Sequence, residues 1–373
     1  MSQRIVIIQK GFHYSGATTQ RMLGYANAFV KFGYDVSMIV SLHCVIPEYL
    51  KQKIHFVVVQ ESNRRFDFST SKNFLRAIKD NCNSDDIIFF EGLPLYLPIL
   101  NLKHYNAFAQ ITEIPFFGRK PTFLQKMGNA VRLFSARKLK GMVVISQGLK
   151  DYYFSKGVKQ VEVINMFVDA SRFEHIPKKG RDKYIAYCGT ISLIKDGVDV
   201  LIKSFAIFHK SHPDYKLYLI GLFESKYHEE AVKSLIKEVQ LEDSVICTGS
   251  MLPEELANCL INASILALAR PNNEQAKYGF PTKLGEYLCT GNPVVVTKVG
   301  EIPIFLHDRQ NAVMAEPDSV ESFAENLNWV ASHYAEAKQI AQEGMNLVHK
   351  EFSSEYQSKL AADFFISLKN ESI

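Results

Sequence analysis

Short apolar runs alternate with amphipathic stretches along the first half of the chain. Arg4–Ile8, Asp35–Ser41, Ile54–Val59, Ile87–Phe90, Ala107–Thr112, Met142–Ser146 and Val161–Ile164 are rich in β-branched and aromatic residues and predict strands. Between them, Thr19–Phe32 (closed by Gly33) and Ser69–Asp80 predict helices. Strands that read as continuous apolar runs are covered on both faces, so the pattern predicts βα units and a parallel sheet. A polar stretch carrying Pro177, Lys178, Lys179 and Gly180 then predicts a linker over residues 169–183. After it the alternation restarts. Tyr184–Cys188, Lys216–Ile220, Val245–Thr248, Ser264–Leu268 and Pro293–Thr297 predict strands. Val198–His209, Tyr227–Val239, a helix opened by Pro253, and Pro281–Thr290 predict helices. Ile302–Leu306 continues the alternation, and two helical stretches, a broken one over Val320–Glu351 and Glu355–Leu368, end the chain. The economical architecture is α/β, with two doubly wound domains over residues 1–168 and 184–352. A last helix within 353–373 is expected to return to the first domain. Ligands of such sheets bind at the carboxyl ends of the strands, at switch points, and the cleft shared by two domains is the expected site.

At 373 residues the chain fits two domains. Apolar residues make up 47% and charged residues 22%, which excludes disorder as the main architecture. The net charge of +4 is too balanced for a dedicated nucleic-acid binder. Six cysteines form no CxxC pair and stand at no zinc spacing, so they read as buried thiols of a reducing compartment. The first apolar run is too short for a signal peptide, and no run reaches the about 18 apolar residues of a membrane span. A cytoplasmic location is expected, with any membrane contact peripheral.

Three stretches carry candidate chemistry. The first strand runs into Gly11-Phe12-His13-Tyr14-Ser15-Gly16-Ala17-Thr18-Thr19. Such a loop either turns the chain or offers backbone N–H groups to an anion at a helix start. In Tyr187–Val198 a strand ends at Gly189 and Lys195 follows beside the next helix. That lysine is either solvated or a point charge for phosphate. In Tyr278–Pro293, Pro281 suits a first helical turn and Lys283 sits within it, where the helix dipole favours anions. A cation there makes sense if a bound anion compensates it. Glu286 follows one turn later on the same side. The two are either an i,i+3 surface pair or a phosphate cation beside a carboxylate that accepts ribose hydroxyls.

In these stretches the chain resembles GT-B glycosyltransferases of the large family 4 group, the group 1 glycosyl transferases. Four segments carry the likeness in order. They are Gly11–Gly16; Val143-Val144-Ile145-Ser146 with Val163–Asp169 and Phe173; Gly189–Val198; and Phe280–Pro293. The resemblance implies two Rossmann-like domains facing across a cleft and a nucleoside-diphosphate sugar, UDP- or GDP-linked, held mostly by the second domain. No other cofactor is implied. Glu286 would bind the ribose, and Lys195 and Lys283 the diphosphate beside Gly189 and Thr190. The base would lie near Gly249-Ser250-Met251, with Ser250 and Met251 as contacts, and Gly16 would let the first loop approach the phosphates. No DxD motif occurs, which fits a metal-independent site. Retention of configuration is the family expectation.

Two positions depart from the family. Thr190 stands where an arginine often follows the glycine, so Lys283 would replace that cation. Tyr278 stands where the first of the family's paired glutamates would fall, leaving Glu274 as the candidate contact to the donor sugar. An inverting enzyme would instead need a general base in the first domain, for which Glu113 and His13 are candidates.

From Ile114 to Lys150 there is no acidic residue, while Arg119, Lys120, Lys126, Arg132, Arg137, Lys138, Lys140 and Lys150 are basic. Phe123, Leu124, Met127, Val131 and Phe134 recur there at helical spacing. The stretch is either a basic amphipathic helix on anionic lipid or a core-facing stripe with a solvated basic face. No nucleic-acid motif accompanies it. The expected protein is a glycosyltransferase that extends a surface glycan or lipid-linked sugar. A nucleotide-sugar 2-epimerase, a sugar-binding protein and a catalytically inactive GT-B partner subunit are the alternatives.

Overall fold

The computed structural model describes residues 2–14, 16–42, 44–61, 68–116, 120–174, 176–177 and 182–371. Two compact units emerge, Met1–Met166 with Ser354–Ile373, and Phe167–Ser353.

In the first unit the described strands are β1 (Arg4–Phe12), β2 (Asp35–Leu42), β3 (His55–Val59), β4 (Ile87–Glu91), β5 (Asn106–Ile111), β6 (Gly141–Val144) and β7 (Val161–Val163). They form one parallel sheet in the order β3-β2-β1-β4-β5-β6-β7. The chain starts mid-sheet, winds out to β3 and returns on the other side at β4. The carboxyl ends of β1 and β4 therefore make its switch point. Ile5–Ile8 and Ile87–Phe90 are fully buried, which explains their unbroken apolar runs. The final helix, Ser354–Asn370, packs on helix Ala17–Lys31 within this unit. Its Phe365 ring lies 4.5 Å from Phe108 and 4.9 Å from Phe89. A Cβ on Gly141 would lie 2.8 Å from the Phe364 ring, so the strand beneath this helix opens on a residue without one.

In the second unit the described strands are β8 (Asp182–Cys188), β9 (Lys216–Ile220), β10 (Val245–Gly249), β11 (Ala263–Leu268), β12 (Val294–Thr297) and β13 (Val313–Ala315). They form a parallel sheet in the order β10-β9-β8-β11-β12-β13. Its switch point lies between β8 and β11.

Several boundaries differ from the sequence expectation. β1 runs on to Phe12 through a bulge, so Gly11, at φ +72°, lies inside the strand. The loop proper is His13–Gly16, of which Ser15 lies outside the described residues. The stretch expected as a linker carries helix Ser171–Glu174 and the start of β8, anchored by the buried Val168 and Phe173. Lys178, Lys179 and Gly180 lie outside the described residues. The helical stretch after Val320 breaks at His333, into Val320–Ser332 and Tyr334–Glu351. Helix Glu274–Tyr278 and strand β13 went unforeseen because five and three residues are too few to show a period.

Candidate functional site

The residues singled out in the second unit gather around the carboxyl end of β8. Gly189 follows that strand at φ +148°. A Cβ there would lie 2.1 Å from the Lys283 Nζ, so the lysine fills the space that a side chain would take. Lys283 stands in the first turn of helix Thr282–Cys289, with Pro281 at its N-cap. Its ammonium is compensated by Asp196, which accepts a hydrogen bond at 2.5 Å. Lys283 also donates to the Tyr187 hydroxyl at 3.2 Å and lies 4.6 Å from that ring's centroid. Tyr187 in turn donates to Asp196 at 2.8 Å.

The Asp196 side chain is 2% exposed and that of Lys283 16%. Burial pushes the Asp196 carboxyl up, but Lys283, the hydrogen bonds from Lys283 and Tyr187, and the charge of Arg270 hold it below its ordinary value. Burial, then the Asp196 charge, drive the Tyr187 phenol well above its own. The compensating anion expected from the helix position is thus already built in as Asp196. An ammonium has three donors, and these contacts use two.

Glu286 does not pair with Lys283, so the i,i+3 surface reading fails. Its Oε1 accepts a hydrogen bond from Arg172 Nη1 at 2.7 Å, and both side chains are about three-quarters sheltered. Cys188 lies in the same neighbourhood: burial, then the Glu286 charge, push its thiol to about 12. The next residue, Tyr287, accepts a bond from the Cys188 backbone N–H at 2.6 Å and fixes the helix against β8.

The other expected contacts spread along the same sheet edge. Thr190 is exposed, and its carbonyl oxygen lies 2.9 Å from the Tyr187 hydroxyl. Lys195 is half-buried in the loop that leads to Asp196, its backbone N–H on Ser192 Oγ at 3.3 Å. Ser250 and Met251 follow β10. Gly221, after β9, carries its N–H to the Gly249 carbonyl at 2.9 Å, and a Cβ on it would meet the Gly189 carbonyl at 2.0 Å. Backbone rather than side chains therefore lines the ends of β8, β9 and β10. Glu274 is exposed in the first turn of helix Glu274–Tyr278, and Tyr278 is its half-buried last residue. Asn273 caps that helix and donates to the Ile194 carbonyl at 2.9 Å, which ties it to the Lys195 loop.

The remaining candidates belong to the first unit. His13 and Gly16 follow β1, and Gly16 begins helix Ala17–Lys31 with its N–H on the His13 carbonyl at 2.8 Å. Glu113 is exposed beyond β5. Sequence reasoning missed Glu91, which ends β4 at the switch point beside Gln110 of β5. Burial raises its carboxyl above the ordinary value. A lone glutamate closing an apolar run was the signal available. Arg172, Asp196 and Tyr187 were missed because their partners are distant in sequence. Among the described residues, no group of three or more His, Cys, Asp or Glu could hold a metal ion.

The basic stretch forms helix Phe123–Ala136, opened by a capping box between Thr122 and Gln125. Its apolar stripe does not face the core. Phe123 and Leu124 are 75% and 74% exposed, and Met127, Val131 and Phe134 are exposed with them. Gly128 of this helix sits over Leu95, which is exposed, as is Ile99. Arg132 donates to the Leu93 carbonyl at 3.2 Å. A hollow of about 510 Å³ is lined by Lys103, His104, Tyr105, Lys138 and Lys140. Arg119 lies outside the described residues. No helix among the described residues is long and apolar enough to cross a membrane.

Residues 169–346 match the family described as Glycosyl transferases group 1. A relative in Haemophilus influenzae, described as an uncharacterized glycosyltransferase, is 24% identical over 328 residues, which cover 84% of this chain and 86% of that one. HepE of Anabaena, solved with UDP and glucose, superposes with a TM-score of 0.75 at 14% identity, over 97% of this chain and 99% of that one. WaaG, a glycosyltransferase involved in lipopolysaccharide biosynthesis, does so with a TM-score of 0.72 at 13% identity, over 97% and 99%. These structural likenesses show the GT-B fold. The family match falls on the unit that holds Gly189, Lys283 and Glu286, so the chain is similar to the group 1 glycosyl transferases there and is a transferase.

Proposed function

We propose that the protein transfers a hexosyl unit from a nucleoside-diphosphate sugar, most simply UDP-linked, to a glycan or lipid-linked acceptor of a cell surface. The observation that carries this reading is the Lys283 ammonium lying over Gly189, with Glu286 one turn further along the same helix. Lys283 has a donor left for a diphosphate oxygen, and Lys195 adds a second charge from the neighbouring loop. As the sugar–phosphate bond breaks, charge develops on the leaving diphosphate, and cations placed beforehand stabilise it. Glu286 accepts ribose hydroxyls. The second unit is then the donor domain and the first the acceptor side. Retention, metal independence and a cytoplasmic location belong to the same reading. UDP in the HepE structure and lipopolysaccharide synthesis by WaaG support the donor and the acceptor class.

Hydrolysis and transfer assays across UDP- and GDP-sugars test it. Turnover of one donor that survives EDTA is expected. Loss on chelation, restored by Mn²⁺ or Mg²⁺, overturns metal independence. Nucleotide binding without turnover of any donor favours an inactive partner subunit, and conversion of the free nucleotide sugar favours an epimerase.

The helix Phe123–Ala136 extends the proposal to peripheral attachment on an anionic membrane. It joins an exposed apolar stripe to basic residues in a stretch without acids, and charge complementarity selects an anionic bilayer. Sedimentation with anionic vesicles, weak binding to neutral ones and release by salt are expected. Indifference to anionic vesicles at low salt overturns this part alone.

A further inference from the structure

We infer that Arg172 is a positioning residue for the nucleotide ribose, acting through Glu286; this rests on the reading of Glu286 as the ribose acceptor. Arg172 stands in the short helix Ser171–Glu174, and Glu286 in helix Thr282–Cys289, 114 positions away. Their contact is therefore a tertiary choice of the fold and not a by-product of helical spacing. At 2.7 Å it is a short, charge-assisted hydrogen bond, and shelter on both sides reduces its screening by water.

A carboxylate offers two oxygens and about four acceptor positions. The Arg172 N–H occupies one position on Oε1, so both oxygens keep room for a hydroxyl. A ribose carries two adjacent hydroxyls, and a carboxylate that takes both must present its plane in one orientation. An unrestrained glutamate would lose side-chain freedom on binding, which weakens the bound state. The arginine fixes that orientation in advance. The diphosphate is left to Lys283, which is held by a different acid. The two helix residues are thus separately aimed, Lys283 by Asp196 and Glu286 by Arg172.

The test compares UDP with 2′,3′-dideoxy-UDP by calorimetry on the full chain. Wild-type protein should bind UDP the more tightly. Arg172→Gln should weaken UDP by about tenfold, the size of one charge-assisted hydrogen bond. It should leave dideoxy-UDP unchanged and add nothing to Glu286→Gln. In turnover assays KM should rise while kcat holds. Arg172→Lys, which keeps the charge and loses the planar fork, should fall between and serves if Arg172→Gln does not fold. Equal loss for both nucleotides overturns the inference, because Arg172 then touches the diphosphate or only supports the fold. No loss for either overturns it as well. If wild-type protein does not distinguish the two nucleotides, the ribose reading of Glu286 fails first, and the inference with it.

Discussion

Asp196 and Glu91 are both sheltered carboxyls near the switch point of their sheet, one in each unit, and burial pushes both toward protonation. The outcomes are opposite. Asp196 has the Lys283 ammonium at 2.5 Å and the Tyr187 hydroxyl at 2.8 Å, and stays below its ordinary value. Glu91 is raised, and its charge in turn helps to raise the nearby Tyr96 phenol, behind burial. The contrast recurs among the cations. In the second unit Lys283 and Arg172 each meet a carboxylate. In the first unit, among the described residues, Lys126, Arg132, Arg137 and Lys138 form no ion pair. The pairing that a site contains before its ligand arrives indicates what it awaits. A small charged donor needs charges fixed in place by acids, whereas an extended anionic surface needs cations without a paired acid.

The largest expected effect breaks the paired side of this comparison. Lys283→Ala leaves the buried Asp196 charge without its cation and should destabilise the protein by about 3 kcal/mol or more. Its loss of donor binding would then be confounded with unfolding. The double variant Lys283→Ala with Asp196→Asn removes both charges and should recover most of the melting temperature while donor binding stays lost. If the double variant binds UDP like wild type, Lys283 belongs to the scaffold. Lys195→Ala, outside this buried pair, should lower turnover with little change in melting temperature.

Gly189→Ala comes next. The added methyl would need the space of the Lys283 Nζ, at a φ of +148° that residues with a Cβ rarely adopt. UDP affinity should fall by about tenfold to a hundredfold, since a charge-assisted contact is displaced. Unchanged affinity in a folded variant would place the phosphates elsewhere.

On the unpaired side, replacing Arg132, Arg137 and Lys138 with Glu should abolish sedimentation with anionic vesicles, since each basic residue near the surface contributes about 1 kcal/mol. Donor hydrolysis should be spared, because the residues proposed to hold the donor lie in the second unit. Phe123→Ser with Leu124→Ser should weaken sedimentation less and leave its salt dependence intact. Equal salt-dependent binding by the triple-Glu variant would move the membrane contact off this helix.

The sequence made most elements legible where period and length were strong. Helix Val198–His209 and strand Lys216–Ile220 match the expected bounds. The buried parallel strands announced themselves as apolar runs because both faces are covered. The candidate residues Gly189, Thr190, Lys195, Lys283 and Glu286 were also legible, since a strand end and a first helical turn are local features. Their partners were not. Nothing in the spacing links Lys283 to Asp196 or Glu286 to Arg172, because those contacts depend on how β8, its following loop and a later helix pack. The direction of the Phe123–Phe134 stripe was illegible for a related reason. A helical period reveals that one face is apolar, and only tertiary packing decides whether that face is covered.

The smallest effect concerns Glu91, and its sign sharpens the contrast with Asp196. Burial raises the Glu91 carboxyl in the folded protein above its unfolded value of about 4.5. Above that value the unfolded chain carries the charge in water, while the folded protein holds it in a sheltered place. The ionised carboxyl therefore opposes folding, increasingly as pH rises from the unfolded to the folded value and constantly above it. Glu91→Gln should raise the melting temperature at neutral pH, with the gain shrinking as pH falls and vanishing below about 4. Asp196→Asn should do the reverse. The Asp196 carboxyl is depressed, so its ionised form stabilises the fold at neutral pH, and that contribution fades as pH drops through the folded value. Melting curves of the two variants against wild type from pH 4 to pH 8 would show the gaps with opposite signs. If Glu91→Gln is destabilising at neutral pH, the ionised carboxylate has a favourable partner, and the first unit builds its switch point in the same paired manner as the second.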